Sequence, residues 1–415
     1  MTGAVTKSGT ATAAVQDEAR GPQSGAAMHR ATRPAANPPR ILHVMDKLSV
    51  GGSRIAGPAR LMSYYVPELS SGHCDVLLCS LRQDDSAKDF LTRAGVDVVC
   101  LDRGKYDLRT LRDLQRLAAR WGPSLLHLHG YASWTFGRIV GRQRGIPVVL
   151  QEHFVDDRVP LVQRAADRVL RRRQQYAIAV SGPVKDFMIE RRYLIDTPVE
   201  IVWNAVPVDA IRRAAARSDP ARLRKSLGIP AEAPVVGIVG RLAEEKGHEY
   251  FLDIGARVAA ARPDVHFVIV GEGPRREPIE AHAARLGLAG RTHLAGHQDD
   301  VVPWLRLFSV SLMTSRREGF PAVPLESLAA GTPVVMTDLD VFRGVYTDER
   351  DVLKIPPGDP ETAAGAVLRL LGDASLVARL AENAGQLLEA CSVKSIVPRY
   401  AKIYRELLCL PEQAA

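Results

Sequence analysis

The chain has 415 residues, which is long enough for two ordinary domains and for a hydrophobic core of normal size. With 46% hydrophobic and 25% charged residues the composition is globular, and no apolar run approaches the roughly 18 residues of a transmembrane helix. The net charge of +8 permits anionic partners such as nucleotide phosphates, anionic lipid or nucleic acid, but it selects none of them.

The first residues bear on the cellular compartment. Residues 1–39 are rich in Ala, Gly, Thr and Pro and lack the apolar segment of a secretory signal, so we predict a disordered tail. Asp17 and Glu18 count against a mitochondrial presequence. The five cysteines are scattered without a C-x-x-C pair, which argues against disulfides and thiolate-bound zinc. These features favour a cytoplasmic protein, with a location at the inner face of the membrane left open.

From residue 40 onwards, short apolar runs alternate with helical stretches rich in Arg, Leu and Ala. The strand-like runs are 41–46, 75–81, 96–102, 125–129, 147–152 and 176–181. Strands that alternate with helices imply right-handed crossovers and a parallel sheet covered on both faces. We therefore predict an N-terminal Rossmann-like domain over 40–205.

The same pattern returns after a stretch rich in Pro, Ala and Arg, which we interpret as a linker region over 206–233. The second set of strand-like runs is 235–240, 264–271, 291–295, 309–315 and 332–337. We predict a second doubly wound domain over 234–390 and a C-terminal helix within 391–415 that packs back towards the first domain. The fold class is α/β, with two parallel-sheet domains facing across a cleft.

Ligands of open parallel sheets bind beyond the carboxyl ends of the strands, so the loops that follow the strands are searched first. Arg241 follows one strand end, and Lys246 lies five residues later near the start of a helix. A guanidinium and an ammonium in such a position suit a diphosphate. The alternative is a solvated loop with two surface cations.

Two carboxylates follow the strand 309–315. Glu318 lies in the loop and Glu326 lies eight residues later inside the next helix, so the two could reach different hydroxyls of one sugar nucleotide. Pro321 and Pro324 mark the first turn of that helix, whose free amides near 322–325 are candidates to face an anion. Alternatively, the glutamates only complement the helix dipole, which is worth about 0.3–1 kcal/mol.

Glycine-rich turns add weaker signals. Gly51 and Gly52 follow the first strand and permit a tight turn or a close approach to a ligand. The stretch GEGP at 271–274 lacks the third glycine of a dinucleotide-binding loop. The sequence contains no Walker lysine motif, no H-E-x-x-H, no G-x-S-x-G and no nucleic-acid-binding motif.

Three histidines, His127, His129 and His153, lie at or near the ends of two neighbouring strand-like runs. Each can be a metal ligand, a catalytic residue or a core residue. No carboxylate or thiolate pattern surrounds them, which disfavours a metal site. His127 lies inside its strand and is expected in the core. His129 is the last strand residue before Gly130, at the predicted cleft, and His153 ends the next strand, where an acceptor-side position is left open.

Residues 41–410 resemble the family 4 retaining glycosyltransferases of the GT-B fold. The motifs that carry the resemblance are Gly51-Gly52, HLHG with His129, EHF with His153, AVSG with Ser181, IVWNAVP with Asn204, VGRLAEEKG, VGEGP, the Glu318-to-Glu326 pair and AAGTPVV. The sequence departs from the family pattern at two places. Ala205 replaces the usual glycine of the N-G-V motif, and residues 53–58 after the glycine pair are unusual.

The resemblance implies a nucleotide diphosphate sugar, with UDP or GDP, as donor and no other cofactor. Arg241 and Lys246 would bind its diphosphate and Glu326 its ribose. The residues expected at the donor are Gly51, Gly52, Arg241, Lys246, Phe320, Ala322, Val323 and Glu326. His129 and Glu318 would be catalytic, beside the transferred sugar. No D-x-D cluster stands at a strand end, so we expect metal-independent transfer.

The acceptor is the least defined partner, and the resemblance implies a glycan or a lipid-linked molecule. In the helical stretch 160–175, arginines 164, 168, 171 and 172 share one face, with Val162, Ala166, Val169 and Leu170 largely opposite. This pattern suits a contact with an anionic membrane or, alternatively, a solvated basic face over a packed apolar one.

The sequence therefore predicts a retaining, metal-independent glycosyltransferase of cell-surface polysaccharide or glycolipid synthesis that does not bind nucleic acid. Two alternatives remain. A GT-B-like epimerase or phosphorylase is one, although no pyridoxal phosphate lysine site is recognisable. The other is a non-catalytic basic α/β binding protein, which would bind polyanions in a salt-sensitive manner.

Overall fold

The structure is a computed structural model. It describes residues 38–50, 54–83, 85–105, 107–156, 158–171 and 176–410. The predicted tail lies almost entirely outside these residues, as do Gly51, Gly52 and Arg172.

Within the described residues, the N-terminal sheet is parallel and has the strand order β3-β2-β1-β4-β5-β6-β7. Its strands are β1 Arg40–Met45, β2 Asp75–Ser80, β3 Val98–Cys100, β4 Leu125–His129, β5 Val148–Glu152, β6 Tyr176–Ala179 and β7 Val199–Ile201. Its crossover helices are α1 Gly57–Gly72, α2 Asp85–Arg93, α3 Arg109–Trp121, α4 Tyr131–Arg144, α5 Leu161–Leu170 and α6 Gly182–Arg191. Strands β4 and β5 are buried along their whole length, as expected of central strands covered on both faces.

The second sheet is also parallel and, among the residues described, has the order β10-β9-β8-β11-β12-β13. Its strands are β8 Val235–Val239, β9 His266–Val270, β10 Thr292–Gly296, β11 Val310–Met313, β12 Val334–Thr337 and β13 Leu353–Ile355. The helices of this half are α7 Val208–Arg217, α8 Pro220–Leu227, α9 His248–Ala261, α10 Arg276–Arg285, α11 Val302–Leu307, α12 Val323–Ala329, α13 Pro360–Gly372 and α14 Ala374–Ala390. The predicted α/β class with two doubly wound parallel sheets is thus confirmed.

Two short strands were not predicted from the sequence. Both β7 and β13 are three residues long and form one edge of their sheets. Strand β3, which is equally short, was predicted because it lies in the longer apolar run 96–102, whereas β7 and β13 each have a charged residue, Glu200 or Lys354, in the middle of a short run.

The chain crosses between the two halves twice, and the two crossings touch. Val206 forms a bridge with Ser392, supported by a hydrogen bond from its amide to the carbonyl of Cys391 at 3.0 Å. The region interpreted as a linker contains α7 and α8, which pack on α11 and α12. After the second crossing, α15 (Val393–Leu407) packs on α1 and buries Tyr400 and Tyr404 in the N-terminal core.

The predicted faces of the helical stretch 160–175 are only partly correct for α5, because Arg164 and Arg168 are exposed and Leu170 is buried but the two valines are not. Val162 and Val169 are 83% and 72% exposed, while Gln163 and Asp167 are buried. The sequence pattern placed the valines inwards because it assumes that buried faces are apolar. Here a carboxylate is buried because two arginines reach it from other helices. Both the valines and the arginines of α5 therefore lie on its outer side.

Candidate active site

A cavity of about 690 Å³ lies where the carboxyl ends of the two sheets face each other. The loops after β1, β4 and β5 line it on one side, and the loops after β8, β9 and β11 line it on the other. This is where open parallel sheets bind ligands. Its lining includes all of the predicted site residues that the structure describes, namely His129, His153, Arg241, Lys246, Glu318, Phe320, Ala322, Val323 and Glu326.

The predicted diphosphate-binding cations share one wall of this cavity. Lys246 ends a short 3₁₀ turn, Glu244–Lys246, between β8 and α9, and its Nζ donates to Oε1 of Glu318 at 2.6 Å. The hydroxyl of Ser315 donates to the same carboxylate oxygen at 2.6 Å. Arg241 pairs with Glu245 one turn away. The carboxylates hold both cations in place beside the cavity.

The positive charge at the cavity also acts on Lys47, which lies on the opposite wall. Partial burial lowers the pKa of Lys47, and the nearby Arg82 and Arg241 lower it further, against the opposing effect of Asp46. An ammonium whose proton is destabilised by neighbouring guanidinium groups reports a positive potential. Such a potential favours an anionic ligand in this cleft.

Tight backbone contacts fix the strand-end loops. Gly271 has φ of +147°, and a Cβ there would collide with the carbonyl oxygen of Gly240. Gly273 lies against the carbonyl of Leu242 in the same way, with 2.5 Å to a hypothetical Cβ. The glycines of the GEGP turn are thus required by close packing against the loop after β8, which carries Arg241.

Glu326 is 3% exposed and receives a hydrogen bond from the opposite domain. The donor is the hydroxyl of Tyr64 on α1, and Tyr64 in turn accepts from Nε of Arg60 at 3.0 Å. Burial and the Glu326 carboxylate raise the pKa of Tyr64, so the hydroxyl keeps its proton. Arg60 also donates to the carbonyl of Asp299 at 3.0 Å, which gives α1 two links to the C-terminal domain.

The loop that carries Glu318 presses against the N-terminal domain. A Cβ on Gly319 would overlap the carbonyl of His153, so only glycine fits. The next residue, Phe320, is buried and accepts a hydrogen bond at its carbonyl from Nδ2 of Asn204 at 2.5 Å. Ala205, which replaces the usual glycine of the N-G-V motif, is buried, and its φ is outside the left-handed region. That departure therefore causes no backbone strain.

The predicted histidines are parts of one hydrogen-bonded group. His129 bonds at both ring nitrogens, through Nε2 to Nδ1 of His43 at 3.0 Å and through Nδ1 to Nε2 of His153 at 2.9 Å. His127 is fully buried, and its Nδ1 lies 2.6 Å from the hydroxyl of Tyr404. A direct contact of His129 with the sugar stays a prediction, and in this arrangement both of its ring nitrogens are already engaged.

Sequence reasoning missed His43, Tyr64 and Tyr404. His43 lies on β1 directly opposite His127 on β4, so strand register would have placed the two rings on one face of the sheet. The two tyrosines come from α1 and α15, and their closeness to the site follows only from tertiary packing. Strand register could therefore have identified His43 from the sequence, but nothing in the sequence could have identified the two tyrosines.

Ring nitrogens of His43, His127 and His129 lie within 4.8 Å of one another, close enough to share a metal ion. Their relative orientation favours hydrogen bonding instead. The planes of His43 and His129 differ by only 14°, with the nitrogens aligned edge to edge at 3.0 Å. Ligands of one ion direct separate lone pairs to a common centre, whereas here one nitrogen lone pair faces the neighbouring ring's N–H.

A buried ionic network supports the floor of the cleft. Arg192 donates to Oε2 of Glu152, a cavity-lining residue, at 2.6 Å and to Oδ2 of Asp167 at 2.5 Å. Arg138 donates to the other oxygen of Asp167 at 2.5 Å. The guanidinium of Arg192 stacks over the ring of Trp134 at 3.9 Å. Buried charges are tolerated here because each is paired and hydrogen-bonded.

Two family models match the two halves of the chain. The description Glycosyltransferase Family 4 matches residues 55–210, and Glycosyl transferases group 1 matches residues 233–373. The first model ends and the second begins in the stretch between the two sheets, so each describes one domain. No described helix is long and apolar enough to span a bilayer.

Named relatives and solved structures agree with these matches. The lipopolysaccharide core biosynthesis glycosyltransferase LpsE of Rhizobium meliloti is 38% identical over 165 residues, which are 40% of this chain and 47% of that protein. The alpha-D-kanosaminyltransferase of Streptomyces kanamyceticus is 29% identical over 319 residues, 72% of this chain and 81% of the relative. The Anabaena protein HepE, solved with UDP-glucose, superposes with a TM-score of 0.74 at 19% identity, covering 88% of this chain and 99% of HepE.

The fold, the cavity between the two sheets and these matches all lead to the same family. The chain belongs to the group 1, family 4 glycosyltransferases and has their GT-B fold.

Proposed function

We propose that the protein transfers a sugar from a nucleoside diphosphate sugar to a glycan or lipid-linked acceptor, with retention of configuration and without a divalent metal. The observation that carries the proposal is the convergence of two cations and two glutamates, Arg241, Lys246, Glu318 and Glu326, on one cavity between two domains. HepE, solved with UDP-glucose, supports the donor class, and LpsE supports a glycolipid acceptor.

In this proposal the donor lies along the C-terminal wall of the cavity. The diphosphate contacts Arg241 and Lys246, which exchange their carboxylate partners for phosphate oxygens. Glu326 accepts hydrogen bonds from the ribose hydroxyls, with Phe320, Ala322 and Val323 packing around the nucleotide. Glu318 turns from Lys246 towards the sugar. The guanidinium groups of Arg82 and Arg241, which together with burial lower the pKa of Lys47, support an anion at this place.

Transfer breaks the bond between the anomeric carbon and the diphosphate oxygen, and the bonding electrons leave with the diphosphate. Positive charge grows on the sugar and negative charge on the leaving oxygen. Fixed cations aimed at that oxygen stabilise the transition state, because they need no reorganisation when the charge develops. The acceptor oxygen then bonds to the anomeric carbon, and its proton passes to a leaving phosphate oxygen.

In the mechanism proposed here the acceptor enters on the same face of the sugar that the diphosphate leaves. The carboxylates of the N-terminal domain that line the cavity support this mechanism over one with a covalent intermediate. Asp46 accepts hydrogen bonds from the amides of Ala132 and Ser133 at 3.1 and 2.7 Å. Glu152 is paired with Arg192, and Asp156 accepts from the hydroxyl of Tyr131 at 2.8 Å. Each therefore has a structural partner, whereas a covalent nucleophile needs a free oxygen facing the anomeric carbon.

Calorimetry with UDP, GDP and ADP, followed by product analysis with their sugars and membrane extracts, tests the donor class. We expect one diphosphate to bind, and Lys246→Ala to weaken its binding at least tenfold. Lys402→Ala is the matched control, because Lys402 is exposed on α15 and lies outside the cavity. Equal binding by both variants would refute the donor site. Epimerised donor or a sugar phosphate as product would identify another enzyme class.

We also infer that α5 contacts an anionic bilayer, which places the enzyme at the inner face of the membrane. The outer side of this helix presents Leu161, Val162 and Val169, each more than 70% exposed, together with Arg164 and Arg168. Aliphatic side chains beside arginines suit the boundary between acyl chains and anionic headgroups. A lipid-linked acceptor would then reach the cleft from the bilayer.

Sedimentation with vesicles tests this contact. We expect binding to vesicles that contain phosphatidylglycerol and little binding to pure phosphatidylcholine. Replacing Leu161 and Val162 by serine should reduce binding about tenfold, and Leu410→Ser, a change of an exposed leucine near the C-terminus and outside α5, should not. Wild-type binding by the double variant would exclude α5 as the contact.

A further inference from the structure

A row of buried side chains leads from the C-terminal helix to the cleft. We name His153, His129, His43 and Tyr404 the histidine row. Their successive contacts are 2.9 Å between His153 and His129, 3.0 Å between His129 and His43, and 3.3 Å between His43 Nε2 and the Tyr404 hydroxyl. His153 is the cavity-lining end that is partly exposed, while the other three are buried.

All rings of the row are neutral. Burial lowers the pKa of His43 to about 3 and of His153 to about 4, and it lowers the pKa of His129 well below the ordinary value. The closeness of other histidines lowers the pKa of His43 and His129 further. A neutral imidazole has one N–H and one lone pair. Each ring therefore donates once and accepts once, and the whole row runs in one of two directions.

The far end of the row selects the direction. The Tyr404 hydroxyl continues to Nδ1 of His127 at 2.6 Å, and the side-chain amide nitrogen of Gln151 donates to the Tyr400 hydroxyl at 2.8 Å. This leaves two buried atoms without a partner among the described residues, Nε2 of His127 and Oε1 of Gln151. No hydrogen bond of normal geometry joins these two atoms, but Gln151 is close enough to His127 to raise its pKa against the larger effect of burial, as an amide oxygen beside Nε2–H does.

Since an amide oxygen can only accept, His127 carries its proton on Nε2 and accepts at Nδ1 from Tyr404. Tyr404 then accepts from Nε2–H of His43. By the same rule His43 accepts from Nε2–H of His129, and His129 accepts from Nε2–H of His153. Every ring is in the Nε2–H form, and the last group of the row, Nδ1 of His153, is a lone pair.

That nitrogen is the unsatisfied end of the row. Nδ1 of His153 is buried and has no hydrogen-bond partner among the described residues. An unpaired buried acceptor costs free energy until a donor reaches it. It belongs to the ring that lines the cavity at the point where Gly319 of the opposite domain touches the His153 carbonyl.

We propose that the histidine row holds His153 in the Nε2–H form, so that its Nδ1 accepts a hydrogen bond from the hydroxyl group that attacks the sugar. His153 is then the residue that touches the acceptor. His129, His43 and Tyr404 are positioning residues that act through it. The acceptor proton itself leaves on the phosphate oxygen, so the row gains no charge. This inference rests on the proposed function.

The protonation form of His153 can be measured directly. In ¹⁵N-histidine-labelled protein, two-bond ¹H–¹⁵N spectra distinguish the Nε2–H from the Nδ1–H form, and the loss of a signal in His153→Gln assigns the residue. We expect a single Nε2–H form in the wild type. In Tyr404→Phe the row is interrupted, and we expect His153 to become a mixture of both forms.

Tyr65→Phe is the matched control. It removes a buried hydroxyl whose ring lies 6.3 Å from that of His43, but this hydroxyl bonds to Sδ of Met62 and not to the row. Its His153 signal should equal that of the wild type. An Nδ1–H form in the wild type, or an unchanged His153 in folded Tyr404→Phe, would overturn the proposal. So would one equivalent of bound metal, because a ligated nitrogen cannot serve in the row.

The kinetics of donor hydrolysis distinguish a failure of this inference from a failure of the proposed donor site. With the sugar nucleotide that binds the wild type, we expect Tyr404→Phe to lower kcat of hydrolysis about three- to tenfold and to leave KM within twofold. His153→Asn, whose side-chain oxygen can occupy the place of Nδ1, should retain more activity than His153→Gln. Equal activities would refute the role of Nδ1. If no nucleotide binds at all, the donor proposal fails, while the spectra still decide the form of His153.

Discussion

The carboxylate of Glu326 is held before any ligand arrives, because Tyr64 donates to it across the cleft. A carboxylate fixed in this way loses little further freedom when ribose hydroxyls bind. The interdomain bond links the two domains and, in the proposed function, also prepares the ribose site.

Glu326→Gln should weaken binding of the nucleoside diphosphate about ten- to a hundredfold. The amide keeps the shape of the side chain but loses the charge, and hydrogen bonds to charged groups contribute about 1.5–3 kcal/mol. Isothermal titration calorimetry measures the change. Glu361→Gln is the control, since that side chain is 85% exposed on α13. Unchanged affinity in Glu326→Gln would remove this residue from the ribose site.

Gly319→Ala should impair transfer at least tenfold and leave nucleotide binding within about threefold. A methyl group there overlaps the His153 carbonyl, so the domains must separate. Arg241, Lys246 and Glu326 all belong to the C-terminal domain, so their positions relative to one another do not change. Gly365→Ala is the control, because no atom lies within 4 Å of its hypothetical Cβ in α13. Wild-type transfer by Gly319→Ala would show that this contact is not needed for activity.

At the scale of elements, helix α5 shows where sequence patterns mislead. Its buried Asp167 meets Arg138 and Arg192, which are 29 and 25 residues away along the chain. The sequence of one helix gives no sign of partners that distant, so the two valines were assigned to the buried face that Asp167 and Gln163 occupy. The central strands were found because long apolar runs bounded by helices need no such partner. Edge strands β7 and β13 were missed because each is a short run interrupted by a charged residue.

The same limit applies to the candidate site. Arg241 and Glu318 were predicted at the cleft because they lie in loops after strands, and Lys246 and Glu326 because they lie in the helical segments that come next; parallel strands end at the same edge, so all four line one cavity. His43 and Tyr64 were missed because one lies inside a strand and the other on a helix that meets the site only by tertiary packing. Strand-end reasoning finds what faces the cleft and overlooks what holds those groups in place.

Asp167→Asn should destabilise the protein by about 3–5 kcal/mol. The change leaves two buried guanidinium groups without their common counter-charge, and breaking a buried pair costs more than forming it gains. Urea unfolding followed by circular dichroism measures the loss. Asp264→Asn breaks the exposed pair with Arg262 and should cost less than about 1 kcal/mol. A loss below 1 kcal/mol for Asp167→Asn would contradict the buried network.

At the scale of the whole molecule, the two domains meet through contacts of different kinds. Tyr64 and Arg60 reach across from α1, and Gly319 fits against the backbone of His153. The chain itself crosses at Val206 and Ser392, which pair with each other. We expect any opening of the cleft to occur at this paired crossing, because movement there separates the first set of contacts without disturbing either sheet. Closure of the cleft would then exclude water from it.

Folding also buries several histidines as neutral rings. Burial is the largest cause that lowers the pKa of each member of this group, His43, His127, His129, His153 and His248. Glu152 behaves in the opposite way, since burial raises its pKa to about 7. Unfolding exposes all six side chains and restores ordinary values, near 6.5 for histidine and 4.3 for glutamate.

Stability should therefore fall as the pH is lowered from 7.5 to 5. Below about pH 6.5 the unfolded chain binds a proton at each of the five histidines that the folded chain does not bind, and this favours unfolding by about 1.4 kcal/mol per histidine and pH unit. Glu152 takes up a proton on folding below pH 7 and so offsets one histidine. Urea unfolding at pH 7.5, 6.0 and 5.0 measures the net loss, which we expect to reach several kcal/mol. A stability that stays constant or rises towards pH 5 would show that the buried rings titrate normally, and the neutral histidine row would then be wrong as well.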